Sequence, residues 1–362
     1  MCKQAVEKRP LLSWGQARCV SLAFVTATYK ENIMTKINPV FIFFLMSLIV
    51  ASVIGCKSKD QSTPISFKEI QDKPDVLLEK PQFIKAADGI DLAYYPKIPK
   101  SKPAAALIFL HGGGAYSGAG YQNLAEGLME KYGISVYLVD LRGHGNSGGP
   151  RGDSPSVQQV WEDLKLFVNY VREKNPGIPL YLGGHSSGGG LVLNYLTWDK
   201  KTKVDGYFFI SPQFGYKSAT ARENIRSSFT TVRYWVFILS AISGGRLFGH
   251  TTAVYFNYPE KILASQPLML QSITRHMSVS MTPDAPQKQF SKIDKPFGLF
   301  IGEKDELFAP EKIVKYSDYS NKEIQMKSVS KIVENENHLS ILLMGDELIG
   351  KTMMNWRNGQ TL

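Results

Sequence analysis

Beyond residue 82 the chain alternates short apolar runs with stretches in which apolar side chains recur at helical spacing. The runs are predicted to be strands at 104–110, 134–139, 180–183, 204–211 and 297–301. Continuous apolar runs bounded by turn residues are typical of a parallel sheet that is covered on both faces. We therefore predict an α/β fold with a mostly parallel central sheet flanked by helices, and a ligand site beyond the carboxyl ends of the strands.

One long stretch, 213–290, interrupts the alternation. It is rich in aromatic side chains and shows no clear strand pattern, and about 80 residues are too many for a plain loop in a compact domain. We predict that 213–290 is a helical cap inserted between two strands. The α/β core then comprises 82–212 and 291–362.

The amino-terminal region has the pattern of an exported lipoprotein. Residues 37–55 carry no charge, follow Lys36 and end just before Cys56 and a polar run. A positive start, an apolar core and a small-residue exit are typical of a signal peptide. The ending resembles the bacterial lipobox, in which the cysteine becomes the lipidated first residue. An uncleaved membrane helix is the rival, because 19 uncharged residues are just long enough to span a bilayer.

These features predict a signal peptide over 34–55 and a lipid anchor on Cys56. Residues 1–33 lack any signal or fold pattern, so we expect them to be an untranslated or disordered extension before Met34. The polar, proline-containing stretch 56–81 is predicted to be a tether. The enzyme-like remainder would then lie in the bacterial cell envelope, held at a membrane and facing away from the cytoplasm.

Cysteine usage and charge exclude several other classes. The cysteines are Cys2, Cys19 and Cys56, so no disulfide can form within the chain after residue 56, and a cysteine nucleophile there is excluded. The net charge is +10, but the basic residues are scattered, whereas a nucleic-acid site would cluster them. We expect no nucleic-acid partner. Because no H-E-x-x-H or Cys/His cluster is present, we also expect no catalytic metal and no cofactor.

A G-x-S-x-G motif follows the predicted strand at 180–183 and precedes a helix-compatible stretch. Its serine is Ser186, and Gly184 and Gly188 provide the space that a strained strand-to-helix turn needs. The motif predicts that Ser186 is a nucleophile. The Ser187 N–H, at the start of the following helix, is placed to bind a developing oxyanion.

A second loop, His-Gly-Gly-Gly at 111–114, follows the first predicted strand of the parallel set. Glycines allow backbone N–H groups to face a bound carbonyl, and we predict that the Gly113 N–H completes the oxyanion hole with Ser187. A phosphate cradle is disfavoured because the Walker lysine is absent.

The general base is one of six histidines. His338 lies on a polar loop after the last strand-like run, whereas the others border glycine motifs, lie in a structural loop or belong to the cap. The orienting acid should follow a late strand, and Asp305 has the best placement, with Glu303 and Glu306 expected to be solvated charges. The order Ser186, Asp305, His338 is the one that distinguishes α/β-hydrolases from other serine-triad folds.

From about residue 82 to its end the chain resembles α/β-hydrolases of the monoacylglycerol lipase and lysophospholipase group. The most specific of the shared motifs is Asp-x-Arg-Gly-His-Gly-x-Ser-x-Gly at 140–149. The resemblance implies a capped serine hydrolase with Ser186, Asp305 and His338 as its triad and the Gly113 and Ser187 amides as its oxyanion hole. One departure is a third glycine, Gly114, in the first loop.

The aromatic cap favours an acyl chain in the substrate, because burial of each methylene contributes about 0.8 kcal/mol. We expect a small-molecule ester, a monoacylglycerol or lysophospholipid. Other readings stay open: a short-chain esterase, acyl transfer to an alcohol, and a non-catalytic envelope binding protein. An aminopeptidase that releases amino-terminal proline needs an acidic pocket, and the acids of the cap are Glu223, Glu260 and Asp284.

Overall fold

The computed structural model describes residues 65–72, 76–223 and 228–359. In chain order the strands are β1 Gln82–Lys85, β2 Asp91–Lys97, β3 Ala105–Leu110, β4 Ile134–Val139, β5 Leu180–His185, β6 Gly206–Ile210, β7 Thr230–Val232, β8 Thr252–Phe256, β9 Ser272–Thr274, β10 Phe297–Gly302 and β11 Val329–Val333. The helices are α1 Lys68–Gln71, α2 Gln122–Tyr132, α3 Val157–Lys174, α4 Ser187–Thr197, α5 Tyr234–Ile242, α6 Glu260–Ser265, α7 Arg275–Met281, α8 Pro286–Phe290, α9 Pro310–Val314, α10 Lys322–Met326 and α11 Gly345–Arg357.

Eight strands form the central sheet in the order β1-β2-β4-β3-β5-β6-β10-β11. β1 pairs antiparallel with β2 and β2 with β4, while the pairs from β4 to β11 are parallel. This confirms the predicted mostly parallel sheet, and β3, β4, β5, β6 and β10 match the five predicted strands. β1 and β11 lie at the sheet edges and are largely solvent-facing, so their sequences lack the continuous apolar run that identifies a central strand.

Side chains of the sheet alternate between two cores, one on each face. In β3, Ala106, Ile108 and Leu110 belong to the core under α3 and α4. The neighbouring Leu107 and Phe109 belong to the core under α2 and α11. Every residue of β3 is buried because helices cover both faces.

The stretch 213–290 contains strands as well as helices, so the predicted helical cap is only partly right. β7, β8 and β9 form a separate antiparallel sheet, alongside helices α5 to α8. These strands have three to five residues each, too few to produce a readable period in sequence. The last part of the stretch joins the core: Met277 and Met281 of α7 are buried, and the Trp161 indole N–H donates to the Ser280 carbonyl at 3.0 Å.

Part of the predicted tether packs against the fold. Ile65 is buried, the Ser66 N–H donates to Glu306 Oε1 at 2.9 Å, and the Phe67 ring lies 6.0 Å from that of Tyr258. Apolar side chains at 65 and 67 explain this contact. The predicted extension 1–33, signal peptide 34–55 and lipidation site Cys56 lie outside the described residues. Within the described ranges no helix is long and apolar enough to cross a membrane.

Candidate active site

Ser186 lies on a tight turn between β5 and α4. Its φ of 52° and ψ of −119° place a non-glycine residue in a strained conformation, which projects the hydroxyl away from the sheet. Close packing requires both flanking glycines. A Cβ on Gly184 would lie 2.4 Å from the Gly188 backbone, and a Cβ on Gly188 would lie 2.5 Å from the Leu110 carbonyl oxygen.

The structure brings Ser186, His338 and Asp305 together at the carboxyl ends of β5, β11 and β10. His338 Nε2 lies 3.1 Å from Ser186 Oγ, and His338 Nδ1 lies 2.8 Å from Asp305 Oδ2. Because a carboxylate only accepts hydrogen bonds, Nδ1 carries the proton and Nε2 is free to accept the serine proton. This is the arrangement of a nucleophile, a base and an orienting acid.

Asp305 is fully buried and is held in its ionised form. Burial would raise the pKa of this carboxyl, but the His338 side chain and the Phe308 N–H outweigh burial, and its pKa is lowered. Oδ1 accepts the backbone N–H groups of Leu307 and Phe308, each at 2.9 Å, while Oδ2 faces the histidine. Asp305 can therefore orient the imidazole and stabilise its protonated form.

The loop that carries His338 is fixed by two contacts that the sequence does not reveal. Glu306 Oε2 accepts the His338 N–H at 3.0 Å, and its Oε1 accepts the Ser66 N–H. Glu306 is thus a partly buried anchor and not the solvated charge that the sequence predicts. Its only signal in the sequence is its position beside Asp305.

The second contact runs through His185. Its Nε2 donates to the His338 carbonyl at 2.9 Å, and its Nδ1 accepts from the Tyr121 hydroxyl at 2.9 Å. Burial, and then the neighbouring His338, lowers the pKa of His185 to about 3, so the ring is neutral near pH 7. The Tyr121 oxygen in turn accepts the Gly112 N–H at 2.8 Å. One chain of hydrogen bonds therefore joins the glycine loop to the triad histidine.

This chain of hydrogen bonds removes the Gly112 amide from the candidates for oxyanion binding. The Gly112 N–H is occupied by Tyr121, whereas the Gly113 and Ser187 N–H groups meet no protein acceptor within the described residues. The two residues are adjacent: a Cβ on Gly113 would lie 2.9 Å from Ser187 Oγ. The geometry leaves free the two amides that the sequence predicts, and their role in oxyanion binding remains a prediction.

The remaining histidines do not contact Ser186 and have other partners. His111 Nε2 accepts the Leu141 N–H at 3.1 Å, and the His144 ring lies 5.0 Å from that of His111. Burial lowers the pKa of His144 to about 3. His250 and His276 lie together beside Asp153, which makes His338 the one histidine of the described residues that contacts both Ser186 and an acid.

The motif at 140–149 shapes the loop after β4. The buried Arg142 guanidinium binds both oxygens of Asp163 at 2.7 Å and also pairs with Asp88 at 2.7 Å. The Asp140 carboxylate accepts the backbone N–H groups of Ser117 and Asn146. The motif therefore joins loops around the site and does not contact Ser186.

Aromatic residues of the insertion cover the glycine loop. The Phe256 ring packs so closely that a Cβ on Gly113 would lie 3.0 Å from it, and the Tyr258 hydroxyl donates to the Gly113 carbonyl at 2.7 Å. Phe229 stacks edge-on against Tyr258 at 5.0 Å. The surroundings of the predicted oxyanion hole on this side are thus largely aromatic.

Lipases are among the curated proteins that this chain resembles. A monoacylglycerol lipase of Mycolicibacterium smegmatis is 32% identical over 107 residues, which cover 30% of this chain and 38% of the relative. A monoglyceride lipase of Rattus norvegicus is 32% identical over 114 residues, 32% of this chain and 37% of the relative. The chain therefore aligns with well under half of the length of these curated relatives.

Solved structures show the fold. A soluble variant of the monoglyceride lipase of Saccharomyces cerevisiae, in complex with a substrate analogue, has a TM-score of 0.59 at 20% identity and covers 80% of this chain and 98% of its own. A carboxyl esterase of Bacillus coagulans has a TM-score of 0.60 at 17% identity, with coverage of 77% and 98%.

The model of the serine aminopeptidase (S33) family matches residues 101–332, which is more than half of the chain and includes the nucleophile elbow, the glycine loop and Asp305. Together with the eight-stranded sheet, this match shows that the chain belongs to the serine aminopeptidase (S33) family of α/β-hydrolases.

Proposed function

We propose that this protein is a serine hydrolase that cleaves carboxylic esters, with monoacylglycerols or lysophospholipids as its substrates. The observation that carries the proposal is the continuous contact from Ser186 Oγ to His338 Nε2 at 3.1 Å and from His338 Nδ1 to Asp305 at 2.8 Å. A serine within hydrogen-bond reach of a base that is itself oriented by an acid is the arrangement of an activated nucleophile.

The reaction follows from these contacts. His338 Nε2 takes the Ser186 proton as the hydroxyl oxygen attacks the ester carbonyl, and the Gly113 and Ser187 amides bind the oxyanion. Collapse of the tetrahedral intermediate breaks the ester bond, and His338 gives its proton to the leaving alcohol. Water, deprotonated by the same histidine, then attacks the acyl-enzyme; the acyl bond to Ser186 breaks, the carboxylic acid leaves, and His338 returns the proton to the Ser186 oxygen.

The apolar cover favours an acyl chain over a polar substrate. Phe229, Phe256 and Tyr258 form a cluster directly over the glycine loop, where the acyl carbonyl would bind. The monoacylglycerol and monoglyceride lipases named above support the same substrate class. Because each buried methylene contributes about 0.8 kcal/mol, a medium or long chain gains several kcal/mol in such surroundings.

The described part of the insertion lacks the acidic pocket that an aminopeptidase would need. Glu223 and Asp284 pair with Lys312 and Lys217 at the surface, and Glu260 is exposed. No acid of the described part of the insertion is buried beside Ser186, so a substrate amine would find no partner there. Ester hydrolysis does not require a buried acid of this kind, because the substrate carries no amine.

We further propose that the protein acts at a membrane of the bacterial cell envelope. The lipobox-like ending at Cys56 supports an acyl anchor, and the insertion exposes apolar side chains on α5, including Ile238 and Ile242, which are 57% and 74% exposed. Metabolic labelling with a radioactive fatty acid tests the anchor. Uptake of lipid by a Cys56→Ser chain would contradict it.

The test of the activity is fatty-acid release from a medium-chain monoacylglycerol by the purified chain, with Ser186→Ala as the blank. We expect release that disappears in the variant. If the wild-type chain is folded but releases no fatty acid, while short esters or peptides are cleaved, the substrate class is wrong. If a serine-directed phosphonate also fails to label Ser186, the hypothesis that Ser186 is a nucleophile is wrong as well.

A further inference from the structure

Three potential metal ligands meet where the insertion contacts the loop after β4. Asp153 lies in that loop, His250 precedes β8, and His276 lies in the first turn of α7. Each side chain offers one ligand atom, and the three atoms lie within 4.8 Å of one another. The sequence does not connect these residues, because about 100 positions separate Asp153 from the two histidines.

The surrounding contacts already hold two of the ligands in position. Asp153 Oδ1 accepts the Thr274 hydroxyl at 2.7 Å, and Oδ2 lies 2.7 Å from His250 Nδ1. His276 Nδ1 lies 3.1 Å from the Ser154 carbonyl oxygen, which only accepts, so Nδ1 donates and Nε2 keeps its lone pair. A ligating histidine commonly donates its other ring nitrogen to a backbone carbonyl in this way.

The backbone makes room for this imidazole. A Cβ on Gly249 would lie 2.1 Å from His276 Nε2, so any other residue at 249 would displace the ring from its present position. The His276 N–H donates to the Gly249 carbonyl at 2.9 Å, which holds the loop before His250 against α7. The two histidine rings are 5.0 Å apart.

We propose that Asp153, His250 and His276 bind a zinc ion that links the insertion to the loop after β4. Two imidazoles and one carboxylate suit zinc, with a water completing four-coordinate geometry. Tetrahedral zinc at about 2.1 Å from each ligand sets the ligand atoms about 3.4 Å apart. The side chains need to close by little more than 1 Å, and His250 is free to move because its side chain is 63% exposed.

This site is separate from the triad and does not depend on the proposed hydrolase activity. Its role is structural, since the ligands come from the core loop and from two places in the insertion. Zinc binding is therefore expected to stabilise the docked position of the insertion.

The test is calorimetric titration of Zn²⁺ into the metal-free full chain, with Cys2, Cys19 and Cys56 replaced by Ser so that no thiol competes. We expect one bound zinc per chain and a melting temperature that rises with zinc concentration, and no comparable effect of Mg²⁺. His250→Gln, His276→Gln and Asp153→Asn should each weaken binding more than tenfold. Asp284→Asn, an exposed carboxylate of the same insertion, is the matched control and should bind as the wild type does.

Zinc binding that is absent in the wild-type chain would overturn the proposal and leave only a hydrogen bond between His250 and Asp153. Binding that persists unchanged in His250→Gln and His276→Gln would overturn it too, and would place the ion elsewhere, for example at the triad. His250→Gln keeps the test decisive if a variant at a more buried position fails to fold, because the side chain of His250 is mostly exposed.

Discussion

At the scale of single residues, the proposed reaction depends on proton transfer from Ser186 to His338. The base has no function without the nucleophile, and the nucleophile is weak without the base. We expect Ser186→Ala and His338→Ala each to lower kcat by about a million-fold, and the double variant to lose no more than either single one. Steady-state rates of fatty-acid release measure all three variants. If the two losses in kcat multiply in the double variant, Ser186 and His338 do not act as a unit.

We expect Glu306 to act on catalysis through His338 and not through the substrate. Its carboxylate accepts the N–H of His338, so its removal should misplace the imidazole without changing substrate binding. We expect Glu306→Ala to lower kcat about tenfold, equivalent to about 1.4 kcal/mol, with little change in KM. Glu306→Gln keeps one acceptor and should recover part of the rate.

The matched control is Glu311→Ala, which removes an exposed carboxylate in the first turn of α9. It should leave both kinetic constants unchanged. A change in KM instead of kcat in Glu306→Ala would show that Glu306 acts on substrate binding and not on the histidine.

At the scale of elements, α5 shows how an apolar sequence can remain at the surface. It is apolar except for Ser240, yet only Val236 and Ser240 are buried. We expect an Ile238→Ser/Ile242→Ser variant to hydrolyse vesicle-bound monoacylglycerol at least fivefold more slowly, because burial of each side chain in lipid contributes about 1.5–3 kcal/mol. Hydrolysis of a water-soluble ester should not change. Met326→Ser, an exposed apolar residue on α10, serves as the control, and an equal loss on both substrates would argue against lipid contact.

The buried charge of Arg142 connects the loop after β4 with α3 and with the β1–β2 turn. Its guanidinium, 1% exposed, binds Asp163 of α3 and Asp88 of the β1–β2 turn. Arg142→Met removes the cationic partner of the buried Asp163 and leaves it only the Gln159 amide at 3.0 Å, so we expect a loss of about 3–5 kcal/mol in the free energy of unfolding. Urea denaturation measures it. Lys351→Met, which breaks an exposed pair with Glu347, should show no measurable change.

At the scale of the whole molecule, buried neutral histidines make stability depend on pH. Burial lowers the pKa of His111, and lowers those of His144 and His185 to about 3. In the unfolded chain histidine titrates near pH 6.5, so between about pH 6.5 and 3 the unfolded state binds more protons. The free energy of unfolding should therefore change little between about pH 7 and 9, below the range in which tyrosine titrates. It should then fall as the pH drops, by up to about 1.4 kcal/mol per pH unit for each histidine.

Urea denaturation at a series of pH values measures this slope. A His144→Gln variant removes one of the titrating groups and should flatten the slope below pH 6.5, whatever its effect on stability at neutral pH. A slope that is unchanged in the variant would show that His144 is not neutral in the folded protein.

From the sequence alone it was possible to predict the class of sheet, five of its strands and the order Ser186, Asp305, His338. Central strands are readable because burial on both faces demands continuous apolar runs, and the elbow is readable because its strained turn requires glycines at fixed positions. Other features became visible only in the folded chain: the edge strands, the small sheet of the insertion, the contact of Glu306 with His338 and the proximity of Asp153 to His250 and His276. Those features depend on contacts between distant segments, such as the 152 positions between Ser186 and His338, and a local pattern carries no record of them.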